Sequence, residues 1–344
     1  MIKLLDQTEV NPSDWNEEVK RLNGCAFHSY EWSLFSSEKN NEKPIYFQLL
    51  DDAGAIKAIV IGLIREKKLT GKTLFKTLSF GSFPAVEDNN YIKIMLDEII
   101  KYSKHNGVLS LGMHSFGTPF DTDLLTHMGF SVKRRWEFLL NLNPNEEELW
   151  HNIHTLKRRK IKKANRENLR IETGCEFEHA LEFRNLALET KKRKDREGIS
   201  FPEVENEHFY RLLKERLVDK GLGRLYLAYS GPKCVAGAFI LGFNKSSYYI
   251  LSSANNEGLE KAAPDLILWN SIMDFKREGY RIFNLGGLSE EELRSEPLEK
   301  SGLYFFKIGY STNEFLCYKG TLILRPIAYK IFDCLKTIKS KLLA

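Results

Sequence analysis

The sequence has no closely spaced cysteine pair. Its five cysteines, Cys25, Cys175, Cys234, Cys317 and Cys334, are odd in number and far apart. Without a C-x-x-C, neither a zinc knuckle nor a disulfide framework is indicated, and reduced thiols are the simplest account. Long apolar runs are also missing: nothing approaches the roughly 18 apolar residues that a bilayer span needs. The start, MIKLLDQTEVNPSDW, has no apolar core of the kind a signal peptide carries, so a cytoplasmic protein is expected. There is no G-x-G-x-x-G for a dinucleotide, no phosphate-binding G-x-x-x-x-G-K-[ST] and no G-x-S-x-G. The eight histidines are scattered. His151 and His154 stand three apart with no H-E-x-x-H around them, and no metal is expected. No Ser-His-Asp or Cys-His arrangement can be argued from spacing, which leaves a covalent enzyme intermediate without a candidate nucleophile.

What remains is ordinary in bulk and informative in arrangement. At 344 residues, 42% hydrophobic and 12% aromatic, the chain has material for two domains with real cores. The net charge of +5 is mild, but it is clustered. Lys157, Arg158, Arg159, Lys160, Lys162, Lys163 and Arg166 crowd one segment, and Lys191, Lys192, Arg193, Lys194 and Arg196 another. Such clusters fit phosphate-bearing partners, and equally a solvated helix face.

The two halves of the chain repeat one pattern, which is the feature to look for first. Apolar runs at 46–50 and 55–64 flank a Gly-containing turn, as do runs at 224–229 and 234–243, and both pairs read as hairpins. A further strand follows each, at 73–80 and 247–253. Amphipathic helices are expected at 91–105 and 264–278, the second with Pro264 in its first turn; they stop at Gly107 and Gly279. Short strands follow at 108–111 and 281–285. Then come Gly129-Phe130 and Gly309-Tyr310, each ahead of another β-rich run. The expectation is an α+β fold in two tandem copies, at 1–143 and 144–325, each a mixed, mostly antiparallel sheet flanked by helices. A basic amphipathic helix is expected at 326–344.

The second half carries Pro264, Leu268 and Trp269, then Gly279, Phe283, Asn284, Gly286 and Gly287, then Gly302, Leu303, Phe306, Lys307 and Gly309. This series resembles the FemABX family of aminoacyl-tRNA-dependent peptidyltransferases and its FemAB-like relatives, built on tandem GNAT-fold domains. The segment from Trp150 to Ala164, the stretch around Thr190, Arg193, Arg196 and Tyr210, and HSYEW ending at Trp32 resemble further parts of that family. Two positions depart from it: Asn284 stands where Asp is more frequent, and Tyr310 where Phe is. The long helical hairpin of some members has no room here, and the Gly-x-Gly/Ala loop of CoA-using GNAT proteins is missing after 247–253.

The resemblance implies amide formation between an amine and an activated acyl ester or thioester. It assigns Lys307 to the carbonyl oxygen that gains charge, the term on which such catalysis mostly depends, with Phe306 shaping the site. Arg193, Arg196, Lys157 and Arg158 are candidates for gripping phosphate on donor or acceptor; Tyr210, Tyr249 and Trp32 complete the expected binding set. Of Tyr248 and Tyr249, strand alternation sends one to the core and one toward a cleft. No cofactor is expected beyond the co-substrate, aminoacyl-tRNA or acyl-CoA. The acceptor would be a nucleotide- or lipid-linked muropeptide in peptidoglycan synthesis, or an envelope amino sugar if the donor is acyl-CoA. A non-catalytic RNA-binding module is the reading outside enzymology. In the tail, Ile327, Ile331, Leu335, Ile338 and Leu342 recur at helical spacing among Lys330, Lys336, Lys339 and Lys341. This fits peripheral contact with the inner face of a membrane, or packing against the first domain.

Overall fold

The computed structural model describes the chain apart from residues 70–71, 116–121, 200, 296–301, 311 and 343–344. Two compact units are present: Met1–Arg135 together with Leu316–Ala344, and Trp136–Phe315. In chain order the first begins with β1 (Ile2–Leu5), α1 (Pro12–Arg21), α2 (Tyr30–Asn40), β2 (Lys43–Leu50), β3 (Ile56–Leu69), β4 (Lys72–Phe80), β5 (Ala85–Val86), α3 (Asn90–His105), β6 (Ser110–His114) and α4 (Thr122–His127). The unit boundary then falls inside β7 (Ser131–Asn141). The second unit continues with α5 (Glu146–Asn152), α6 (Thr155–Arg166), β8 (Arg170–Gly174), α7 (Phe177–Arg196), α8 (Glu207–Leu212), β9 (Gly223–Ser230), β10 (Lys233–Phe243) and β11 (Ser246–Ala254). It ends with α9 (Asn256–Glu260), α10 (Ala263–Arg277), β12 (Ile282–Ser289), α11 (Glu290–Ser295) and α12 (Gly302–Ile308). Most of β13 (Asn313–Ile323) and all of α13 (Pro326–Leu342) return to the first unit.

The repeat in the sequence is a repeat of strand pairing. In the first unit β2/β3 and β3/β4 are antiparallel and β4/β6 is parallel. In the second β9/β10 and β10/β11 are antiparallel and β11/β12 is parallel. Each parallel pair needs a crossover, and α3 and α10 supply it. The strand orders are β1-β2-β3-β4-β6-β13 and β7-β12-β11-β10-β9-β8, with β5 on β3.

The units do not follow the linear halves of the chain. The strand after Gly129-Phe130 pairs with β12 of the second unit, and residues 319–323 of β13 pair antiparallel with β6 of the first. The closing strand of each sheet is thus supplied by the other half, where the sequence reading had boundaries at 143/144 and 325/326. Local pattern identifies a strand but not its partner, because pairing is made through backbone groups that every residue shares.

Each unit has its own core. Phe47, Phe80, Met95, Ile99 and Leu111 centre the first, and Phe138, Ile240, Ile272, Phe275, Phe283 and Leu285 the second. Helix α10 shows how the sequence sets an element: Pro264 pre-forms its first turn, Asp265 suits the positive N-terminal end, and Gly279 ends it at φ +82°.

Candidate functional site

Strands β11 and β12 pair over only three residues, Ser246–Tyr248 with Ile282–Asn284, and then part. In open α/β sheets, ligands bind beyond the carboxyl ends of parallel strands where such neighbours diverge. The residues just past the parting are Tyr249 on one strand and Leu285 and Gly286 on the other. Tyr248 is buried, and Tyr249 is partly buried, packed against the core of the second unit.

Lys307 and Phe306 meet this place from α12. Lys307 is buried, at 6% exposure, and its ammonium donates to the Leu285 carbonyl and lies 5.8 Å from the Phe138 ring centroid. Gly286, at φ +74°, has no side chain to obstruct it; a Cβ there would lie 3.3 Å from Lys307 Nζ. The Phe306 and Tyr249 rings are tilted against each other, centroids 6.3 Å apart. Burial pushes the Tyr249 hydroxyl up to about 12, so it stays protonated and can donate.

Behind Phe306 is a buried charged cluster. Lys157 Nζ donates to Asp265 Oδ1 at 2.7 Å, and Tyr310 Oη donates to the same carboxylate oxygen at 2.9 Å. All three side chains are buried. Lys157 also lies over the Phe306 ring at 4.1 Å and the Tyr310 ring at 5.0 Å, a cation–π arrangement in a dry setting. Burial lowers the Lys157 ammonium from its usual range and the Asp265 carboxylate opposes that; burial pushes the Tyr310 phenol well up. Gly309 makes the approach of α6 to α12 feasible, because a Cβ there would be 2.9 Å from Lys157 Cε. The His154 N–H donates to the Gly309 carbonyl at 2.8 Å, a second tie between the same elements.

Under the parting, Asn284 Nδ2 donates to Glu137 Oε2 at 2.5 Å, and Asn284 Oδ1 accepts the Gly286 N–H at 2.7 Å. Both side chains are buried. An aspartate at 284 would face the Glu137 carboxylate, which gives the departure from the family pattern a physical reason.

The remaining expected residues lie elsewhere. Arg158 donates to the His151 carbonyl at 2.7 Å and to the Thr155 hydroxyl at 3.1 Å, clipping the turn ahead of α6. Arg193 is half-buried on α7, 3.8 Å from the Glu197 carboxylate, and its Nε and Nη1 have no hydrogen-bond partner among the described residues. Arg196 is exposed, donates to the Lys192 carbonyl, and lines a polar cavity of about 250 Å³ with Lys192, Lys233 and Asn255. Tyr210 is packed edge-on against Phe183 and Phe209, a core position. Trp32 belongs to the first unit, against Phe27 and Phe35. Thr190 ties α7 to β11 by accepting the Ala254 N–H and donating to its carbonyl. Asp265 and Glu137 were not singled out from sequence. A signal existed for Asp265, which falls on the buried stripe Asp265, Leu268, Ile272 and Phe275 of α10, where an acid needs a partner. None existed for Glu137, whose partner is 147 residues away. Among the described residues no group of three or more His, Cys, Asp or Glu is placed to hold a metal ion.

Residues 154–294 match the family model of an acetyltransferase (GNAT) domain. No curated protein matches the chain. Among solved structures, FemX is similar with a TM-score of 0.76 at 14% identity, over 96% of this chain and 99% of that one. The L-PGS structure from Bacillus licheniformis is similar at 0.58 and 15% identity, over 96% and 97% of the two chains. A tandem GNAT protein from the clavulanic acid biosynthesis pathway is similar at 0.55 and 10% identity, over 94% and 98%. The fold is therefore α+β and of the tandem GNAT type, as the FemABX resemblance implied, and the second unit carries the acetyltransferase-type domain.

Proposed function

We propose that this chain, with the tandem GNAT fold of FemX, is an N-acyltransferase working where β11 and β12 part in the second unit. The observation that carries the reading is Lys307: a buried ammonium held on the Leu285 carbonyl, next to side-chain-free Gly286, at the carboxyl end of diverging parallel strands. An acceptor amine attacks the acyl carbonyl carbon, a C–N bond forms, and the C–O or C–S bond to the donor breaks. Negative charge on the carbonyl oxygen in between is met by the Lys307 ammonium. Water or a substrate anion takes the amine proton, and the donor leaves as the ribose hydroxyl, receiving that proton, or as the CoA thiolate.

The donor in this reading is aminoacyl-tRNA, and the acceptor a nucleotide- or lipid-linked muropeptide of peptidoglycan synthesis, at the cytoplasmic face of the membrane. No cofactor besides the co-substrate takes part. Arg193, with two guanidinium nitrogens lacking hydrogen-bond partners among the described residues, and exposed Arg196 are the phosphate-gripping candidates. A second reading, acyl-CoA transferred to an envelope amino sugar, is favoured by the acetyltransferase match over 154–294.

The test offers labelled aminoacyl-tRNA and acetyl-CoA in turn to the purified chain, with UDP-linked muropeptide and amino-sugar acceptors. Transfer is expected from one donor class. Lys307→Ala should lower turnover about 100- to 1000-fold while acceptor binding persists. Transfer that survives Lys307→Ala would overturn the assignment. Salt-dependent RNA binding without transfer from either donor would replace it with a binding module.

A further inference from the structure

Helix α13 is held to the first unit by one face. Phe332 packs edge-on against Phe75 of β4, ring centroids 5.5 Å apart, and Lys67 of β3 lies 5.1 Å from the Phe332 centroid. The stripe that helical spacing singles out is not the packed one. Ile327, Ile331 and Leu335, at i, i+4 and i+8, are exposed by 80%, 54% and 50%. Helix and stripe are thus both present, with the apolar side facing out.

We infer that this outward stripe is a seat for an anionic lipid surface, with α13 lying flat in the headgroup layer. Charge selects this occupant. From Arg325 onward the chain carries Arg325, Lys330, Lys336, Lys339 and Lys341 against Asp333 alone. A second copy of the helix would set this positive charge against its like, whereas anionic headgroups complement it. Lys330 is exposed beside Ile331, so its stem can follow the apolar stripe while its ammonium reaches a phosphate. Geometry selects the orientation. Seventeen residues rise only about 26 Å as a helix, and among the described residues no helix is long and apolar enough to cross a membrane. A short helix with exposed isoleucines and an exposed lysine beside them lies in an interface. The sequence continues the apolar spacing through Ile338 and Leu342.

The experiment is co-sedimentation of the full chain with phosphatidylcholine vesicles, with and without phosphatidylglycerol, alongside sedimentation equilibrium without lipid. Binding to the phosphatidylglycerol vesicles alone is expected, falling as salt rises. The triple variant Ile327→Ser, Ile331→Ser, Leu335→Ser should bind about tenfold more weakly or worse, and Lys330→Glu should also weaken binding. The replaced side chains are exposed, and an unchanged melting temperature establishes that each variant is folded. No preference for anionic vesicles, or equal binding by the triple variant, overturns the inference. So does a lipid-free dimer that the triple variant dissolves, which would assign the stripe to a second copy. These vesicles hold no acyl donor or acceptor, so the outcome is independent of the acyltransferase reading.

Discussion

Lys157 Nζ lies 2.7 Å from Asp265 Oδ1 in a region where both side chains are buried, and the Phe306 ring lies under the same ammonium. The pair joins α6 to the first turn of α10 and backs the residue before Lys307. Removing Asp265 takes the carboxylate from the buried Lys157 ammonium, and removing Lys157 leaves Asp265 with only Lys160 at 3.8 Å and the Tyr310 hydroxyl; breaking such a pair costs about 3–5 kcal/mol. Lys157→Met and Asp265→Leu are each expected to lose that much in urea denaturation, and the double variant to recover most of it. Additive losses would show that the two charges do not depend on each other.

The contact between Asn284 and Glu137 makes a sharper prediction. Asn284→Asp restores the residue more frequent in the family, yet it sets a second carboxylate against Glu137 at the 2.5 Å contact. It should destabilise by about 1–3 kcal/mol at neutral pH. The loss should shrink as pH falls and one carboxyl takes a proton, since like charges raise the affinity for it. Glu137→Gln in the same chain should suppress the effect. Denaturation of the three variants at two pH values checks this.

Gly286 combines positive φ with close approach to Lys307. Gly286→Ala meets a left-handed backbone that costs about 1–2 kcal/mol for a residue with a Cβ, and its methyl presses on the ammonium. Transfer is expected to fall further than the stability loss accounts for. Gly279→Ala, also at positive φ but with nothing near its Cβ position, should lose stability alone. Parallel melting and turnover measurements separate the two.

The first unit should be acid-sensitive through His28. Nε2 donates to the Phe83 carbonyl, Nδ1 accepts the Cys25 N–H, and burial pushes the imidazole down to about 4 from its ordinary 6.5. The folded value is the lower one, so the unfolded chain takes up the proton first. The contribution is full above pH 6.5 and is lost as pH falls toward 4, amounting to about 3 kcal/mol. His114, also lowered to about 4 by burial, acts in the same direction. Denaturant midpoints between pH 7.5 and 4.5 should drop for the wild type and drop less for His28→Asn.

The sequence by itself determined the elements and their repetition. Glycines at 107 and 279, Pro264 and the apolar periods are local signals, and helices α3 and α10 and the two hairpins stand where those signals put them. The apolar stripe of α13 was equally visible. The side of the helix facing the protein was not, because Phe332 rather than the stripe meets Phe75. Only tertiary structure decided which strands close each sheet, since backbone hydrogen bonding carries no residue label. It also decided which charges are buried. Lys157 stands in the basic run 157–166 and is a phosphate-gripping candidate by sequence; its partner in the structure is Asp265, 108 residues away on α10, and the spacing of side chains along a helix says nothing about an acid approaching from another.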